Sequence, residues 1–243
     1  MVRQPGQINV EQLCNQLESS SEKIRRDLSR LSTEGKILKY HGGARLPLNI
    51  SESHFQQRMR ENMGAKRSIA RIAVSLVEPG STLFVDSGTT NLILAEELAT
   101  LTTIEQLTIV TNSLEIAKVI GNAPANHKLY LLGGEYFPEN REIVGSEAST
   151  QRQSFQAQHA FITVTCVDKR TGATNFKAEE AKLAREMIFR AQTVTMLADS
   201  SKFDRNAGFQ VGPLGAFDNL VCELPPGDNL MKALHQEKVQ VLY

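Results

Sequence analysis

With 243 residues, 41% of them hydrophobic, the chain is long enough for one domain of about 180–190 residues beside a small module. Its 27 lysines and arginines balance 27 aspartates and glutamates, so any basic surface must be local. No apolar run reaches the length of a membrane span, the amino terminus lacks a signal-peptide core, and Cys14, Cys166 and Cys222 form no paired spacing, which excludes a membrane protein and a disulfide scaffold and points to reduced thiols in the cytoplasm.

The first element is a helix over "INVEQLCNQL", where Val10, Leu13 and Leu17 recur at helical spacing. A short polar connection leads to "SSSEKIRRDLSRL" (19–31). Here Ile24, Leu28 and Leu31 form one stripe at i, i+4 and i+7, and Lys23, Arg25, Arg26 and Arg30 lie off it. Ser19 with Glu22 fits a capping box, with Ser20 and Ser21 as the other possible caps. Alone, such a helix reads as amphipathic with a solvated charged face. Its neighbours change the reading. Gly35 is a helix stop, "KILKY" alternates as a strand does, and Gly42-Gly43 makes a turn, so helix-turn-helix is followed by a hairpin, the outline of a winged helix. Between 21 and 45 there are 7 basic residues (23, 25, 26, 30, 36, 39, 45) and 3 acidic ones (22, 27, 34), a net of +4. A polyanion is the natural partner, with the start of the second helix in the major groove of double-stranded DNA. The candidate contacts are Ser21, Lys23, Arg25, Arg26, Arg30, Lys39, His41 and Arg45.

Pro47 ends the wing, and "SESHFQQRMREN" reads as a polar linker helix. The expected partition is 1–46 DNA-binding domain, 47–64 linker and 65–243 a second domain. In "AKRSIARIAVSLV" the residues Ile69, Ile72, Ala73 and Leu76 share a helical face. Strands are predicted at "TLFVD", "LTIVT", "KLYLL", "AFITV", "TVTMLA", "NLVCE" and "KVQVLY", with helical stretches such as "AEEAKLAREMIFRA" between them. That alternation predicts an α/β domain with a mostly parallel sheet. Ligands of such sheets bind beyond the carboxyl ends of the strands. There "DSGTTN" passes from a strand into a helix, offering free amides, hydroxyls and the positive end of the helix dipole to an anion such as a phosphate. It lacks the lysine of a Walker A loop. "TNS" (111–113) and "GGE" (133–135) recur at equivalent strand ends, and Lys202 in "DSSKF" follows another strand. The five histidines show no metal-ligand spacing, and no cofactor is expected.

"SSSEKIRRDLSRLSTEGKILKYHGGA" resembles the DNA-binding domain of the DeoR/GlpR family of bacterial transcriptional regulators, and "FVDSGTTN", "IVTNSLEIA", "LLGGEYFPENREIVG" and "LADSSKF" follow in family order. The resemblance implies a winged helix-turn-helix followed by a sensor domain like phosphosugar isomerases. The chain would then be a regulator, in the repressor sense, of a sugar or polyol (glycerol-3-phosphate-like) catabolic operon, controlled by a phosphorylated sugar or polyol. "FKAEEAKLAREMI" matches closely, bringing Glu180 in as a partner for effector hydroxyls. With it, the expected effector set is Asp86, Ser87, Gly88, Thr89, Thr90, Asn112, Ser113, Gly133, Gly134, Glu180 and Lys202. A dimer or tetramer is expected, since one module reads a half-site. Two departures stand out. Thr165 and Cys166 occupy a segment where relatives commonly carry glycine. The helix that relatives place before "INVEQL" is missing, which would leave Leu13, Leu17, Ile24 and Leu28 partly exposed and allows either an upstream start or a weakened reading head. The competing readings are a sugar-phosphate isomerase-like enzyme and a sugar-phosphate-binding protein that has lost DNA binding. Asp86, Glu135, Asp168 and Asp199 supply carboxylates for the former, but no histidine or cysteine has an evident catalytic partner.

Overall fold

A computed structural model describes residues 7–17, 19–33, 38–40, 42–45, 55–101 and 104–243. They fall into two compact units, Met1–Glu52 and Ser53–Tyr243.

The smaller unit runs β1 (Gln7–Asn9), α1 (Val10–Leu17), α2 (Ser21–Thr33), β2 (Leu38–Tyr40) and β3 (Gly43–Arg45). Its three strands form an antiparallel sheet in the order β1-β3-β2, so the wing hairpin gains a third strand from the residues before α1. Asn9 caps α1 reciprocally with Gln12: the Gln12 amide donates to Asn9 Oδ1 at 2.7 Å and the Asn9 amide to Gln12 Oε1 at 3.2 Å. Ser20, not Ser19, caps α2, accepting from the Lys23 amide at 3.4 Å. Ile24 and Leu28 are buried with Ala44, and Val10, Leu13 and Cys14 pack against them. The expected partial exposure of Ile24 and Leu28 is therefore not found, because α1 and β3 together cover the stripe. Leu17, at the end of a two-turn helix, is 60% exposed.

The larger unit opens with α3 (Phe55–Arg60) and α4 (Met63–Val74), then β4 (Thr82–Val85), α5 (Thr89–Thr100), β5 (Thr108–Thr111), α6 (Leu114–Gly121) and β6 (Lys128–Leu131). It continues with β7 (Glu135–Phe137), β8 (Glu142–Val144), α7 (Ser146–Arg152), β9 (Ala157–Thr163), β10 (Cys166–Asp168), β11 (Gly172–Asn175), α8 (Ala178–Phe189) and β12 (Ala191–Leu197). The chain ends with β13 (Phe209–Gly212), β14 (Asn219–Val221), α9 (Asp228–Gln236) and β15 (Gln240–Leu242). Seven strands build one sheet in the order β15-β14-β12-β9-β4-β5-β6, every neighbouring pair parallel. Alternate side chains feed two cores. Leu83 and Val85 join α4, α5 and α6 on one face, and Phe84 joins α8 and α9 on the other. After β4 the chain adds β5 and β6 on one side, then returns through β9 to the other. The sheet's topological switch point therefore lies between the carboxyl ends of β4 and β9, where such sheets open a crevice.

Residues 55–60, read from the sequence as linker, belong to this unit. Phe55 is 3% exposed in the core of α4 and α5, its amide donates to the Glu139 carbonyl at 3.1 Å, and Arg58 and Arg141 lie over its ring. The polarity of "SESHFQQRMREN" concealed a single aromatic anchor. Among the described residues no helix is long and apolar enough to cross a membrane, and no group of three or more His, Cys, Asp or Glu side chains is placed to hold a metal ion.

Candidate functional site

In the smaller unit, burial of Ile24 and Leu28 turns the opposite face of α2 to solvent. Ser21, Lys23, Arg25, Arg26 and Arg30 are all exposed. Arg30 approaches Asp27 at 4.0 Å, while Lys23, Arg25 and Arg26 form no side-chain hydrogen bond or ion pair among the described residues. Lys39 reaches from the wing to α2, donating to Ser29 Oγ at 2.8 Å. His41 and the side chain of Arg45 lie outside the described residues. Exposed guanidinium groups on the first turns of a capped helix can bond phosphates or guanine edges.

In the larger unit, the loop after β4 meets β9 at the switch point. The Asp86 amide donates to the Phe161 carbonyl at 3.1 Å, and Asn91, fully buried, donates to the carbonyls of Asp86 and Phe161 at 2.8 and 2.9 Å. The Thr163 hydroxyl donates to the Ser87 carbonyl at 2.6 Å. Gly88 sits at φ +121°, and a Cβ there would come to 3.1 Å from Thr163 Cβ and still closer to its hydroxyl. Gly88 is thus required by the neighbouring strand. The loop so pinned delivers the start of α5. Thr89 and Thr90 are 6% and 7% exposed, and the amides of Thr89, Thr90 and Asn91 have no acceptor among the described residues. That is a positive pole with unpaired donors in a crevice.

Behind the loop lies a buried polar cluster. Ser87 donates its hydroxyl to Glu142, which is 1% exposed on β8. Asn140 donates to Glu142 at 3.2 Å and to Glu180 on α8, and Lys177 stands 3.5 Å from Glu180. Arg58 donates to Asn140 Oδ1 at 3.0 Å. Two strands along the rim, after β12, Asp199 accepts from Asn62 at 3.1 Å and from Ser201. Lys202 closes the short turn Ser200–Lys202, half-buried and without an ion-pair partner among the described residues. Lys66, 4% exposed on α4, donates to the carbonyls of Arg58 and Glu61. Burial pushes its ammonium pKa down to about 8, with Lys202 and Arg58 lowering it further while Asp199 and Glu61 oppose the fall.

Two family models match the chain: "DeoR-like helix-turn-helix domain" over residues 1–49 and "DeoR C terminal sensor domain" over residues 61–223. The chain belongs to the DeoR family. It is a DNA-binding transcriptional regulator, with a reading module joined to a sensor domain. Among curated proteins it is 29% identical to the glycerol-3-phosphate regulon repressor of Escherichia coli strain K12, covering 99% of this chain and 94% of that one. It is also 29% identical to the HTH-type transcriptional repressor GlcR of Bacillus subtilis strain 168, covering 99% and 92%. Among solved structures, ribose 5-phosphate isomerase A of Methanocaldococcus jannaschii aligns at a TM-score of 0.41 and 18% identity over 57% of this chain and 53% of that one.

Several residues singled out in this DeoR-family sequence have other tasks. The Ser113 hydroxyl caps α6, accepting from the Ile116 amide at 3.3 Å. Asn112 bridges the Ser87 amide (3.0 Å) and the Ile143 carbonyl (3.2 Å). The Gly133 amide donates to Gln151 at 2.8 Å, and a Cβ at Gly134 would come 2.6 Å from the Val144 carbonyl, so both shape the entry to the β7–β8 hairpin. Cys166 is buried, and burial pushes its thiol pKa up, which keeps it protonated. In that segment Thr163 is the residue that touches the loop; the Thr165 amide instead donates to Asn175 at 2.9 Å. Sequence reasoning missed Arg58, Lys66, Asn140 and Glu142. Lys66 had a signal, a lysine three and seven residues before Ile69 and Ala73 on the apolar face of α4.

Proposed function

We propose that this regulator is a repressor of a sugar or polyol catabolic operon, and that a phosphorylated sugar or polyol bound at the carboxyl rim of the larger unit controls its affinity for operator DNA. One observation carries the reading: the amides and hydroxyls at the start of α5, unpaired among the described residues, open on the switch point, and Lys202 stands on the same rim with no carboxylate paired to it among those residues. The β12 and β4 ends are two strand spacings apart, about 10 Å. A lysine side chain and a small phosphorylated ligand together cover that span. The phosphate suits the amide donors and dipole of the α5 terminus, and the carboxylates Asp86, Glu142 and Glu180 suit hydroxyl groups as acceptors. The names of the curated relatives, a glycerol-3-phosphate regulon repressor among them, support the same class. Control of this kind needs a coupling of about 1–3 kcal/mol between ligand and DNA sites. A homodimer or tetramer in the cytoplasm, placing two reading modules on two half-sites, completes the proposal. The exposed arginine face of α2 favours it over an isomerase-like enzyme or a binding protein without DNA affinity.

Calorimetric titration of phosphorylated sugars and polyols, and of their unphosphorylated forms, against wild type and Lys202→Met tests the ligand assignment. Lys202→Met keeps much of the side-chain length but removes the charge, so it weakens binding of the phosphorylated ligand selectively. A ligand that binds both proteins equally, with or without its phosphate, would remove the phosphate site from the account.

A further inference from the structure

Helix α3 is the first described element of the sensor domain after the DNA-binding unit, and its side chains are engaged at the candidate effector site. A chain of hydrogen bonds runs from the ligand loop to it. The Ser87 hydroxyl donates to Glu142, Asn140 donates to the other oxygen of the same carboxylate, and Arg58 of α3 donates to Asn140 Oδ1 at 3.0 Å. Glu142 and Asn140 are 1% and 5% exposed, so water cannot readily replace a lost partner. The Asn140 amide orientation is set by its surroundings: carboxylates face its nitrogen, a guanidinium faces its oxygen.

We infer that Asn140 and Arg58 are positioning residues that make the placement of α3 depend on the bonding state of Ser87. A ligand that recruits the Ser87 hydroxyl takes a donor from a buried carboxylate. Glu142 then draws on Asn140 more strongly, and the Arg58 contact that holds α3 changes with it. The regulatory meaning of this relay rests on the effector reading given above; the relay itself is testable without a ligand, so the two can fail separately.

The test is hydrogen exchange on the full chain, read at the amides of Met59, Arg60 and Glu61, with those of β4 and β9 as the control for global unfolding. Ser87→Ala removes the first donor of the chain. It should speed exchange at Met59–Glu61 by about tenfold, the scale of one lost charge-assisted hydrogen bond, and leave the strand amides unchanged. In an Arg58→Gln background, whose α3 amides already exchange faster, Ser87→Ala should add less than about twofold, because both changes act on one path. Unchanged exchange at Met59–Glu61 in Ser87→Ala would overturn the inference. So would a full tenfold effect persisting in Arg58→Gln, which would route the coupling elsewhere. If either variant loosens the strands as well, Ser87→Thr, which restores a hydroxyl, must return Met59–Glu61 to wild-type exchange for the relay to stand.

Discussion

Gly88→Ala places a methyl group against the strand beside it, and the structure sets the scale of the damage. At φ +121° an alanine is strained by about 1–3 kcal/mol. Its Cβ would also displace the Thr163 side chain, which gives up its 2.6 Å bond to the Ser87 carbonyl, another 0.5–1.5 kcal/mol, roughly. The expected loss of stability is therefore about 1.5–4.5 kcal/mol, before any ligand is considered. Thr163→Ala alone forfeits the hydrogen bond, about 1 kcal/mol. In the double variant the methyl group meets a smaller neighbour, so the loss should fall short of the sum by about 1 kcal/mol. Urea unfolding followed by circular dichroism measures all four corners of this cycle. A Gly88→Ala loss below about 0.5 kcal/mol, or strict additivity of the two changes, would refute the claim that β9 dictates the glycine.

Arg25→Ala and Arg26→Ala should each weaken operator binding by about 1–3 kcal/mol where the guanidinium reads a base, and should lower the salt slope by about 0.9 where it meets a phosphate. Ligand titration of the sensor domain should be unaffected, because both side chains are exposed on α2. Unchanged DNA affinity in both variants would overturn the recognition-helix assignment. Lys66 predicts a pH effect. Its pKa is about 8 in the folded chain against 10.5 when unperturbed, so between those values the unfolded chain binds more protons. This group therefore makes stability rise with pH from about 8 to 10.5. Melting temperatures across that window should rise more steeply in wild type than in Lys66→Met; parallel profiles would show that Lys66 does not titrate there.

The sheet was legible because its strands are short apolar or β-branched runs separated by clear turn and helix signals. All seven runs named from the sequence form the seven parallel strands. The β7–β8 hairpin and the three-stranded β10-β11-β13 sheet were not legible, since strands of three or four mixed residues carry too little periodicity to announce themselves. At the candidate site the sequence indicated which loops converge but not what each side chain bonds. Ser113 looks like a ligand group and is a helix cap, while Glu142, in a segment noted only for its family likeness, anchors the cluster behind Ser87. Such assignments depend on contacts between residues far apart in sequence, such as Ser87 with Glu142 and Arg58 with Asn140. The helix read as a linker misled for a related reason: Phe55 is one aromatic among polar residues, and its burial is decided by α4 and α5.

The measurement that bears most directly on a ligand-controlled DNA-binding regulator is linked binding in one titration. Full-length protein would be titrated into a fluorescent operator duplex selected from random sequence, with and without a panel of phosphorylated sugars and polyols and their unphosphorylated forms. The account predicts sequence-specific binding whose dissociation constant changes by about 5- to 150-fold with one phosphorylated compound, and by far less with its unphosphorylated form. Binding that shows no sequence preference, or specific binding that no phosphorylated compound alters more than its unphosphorylated form does, would contradict it.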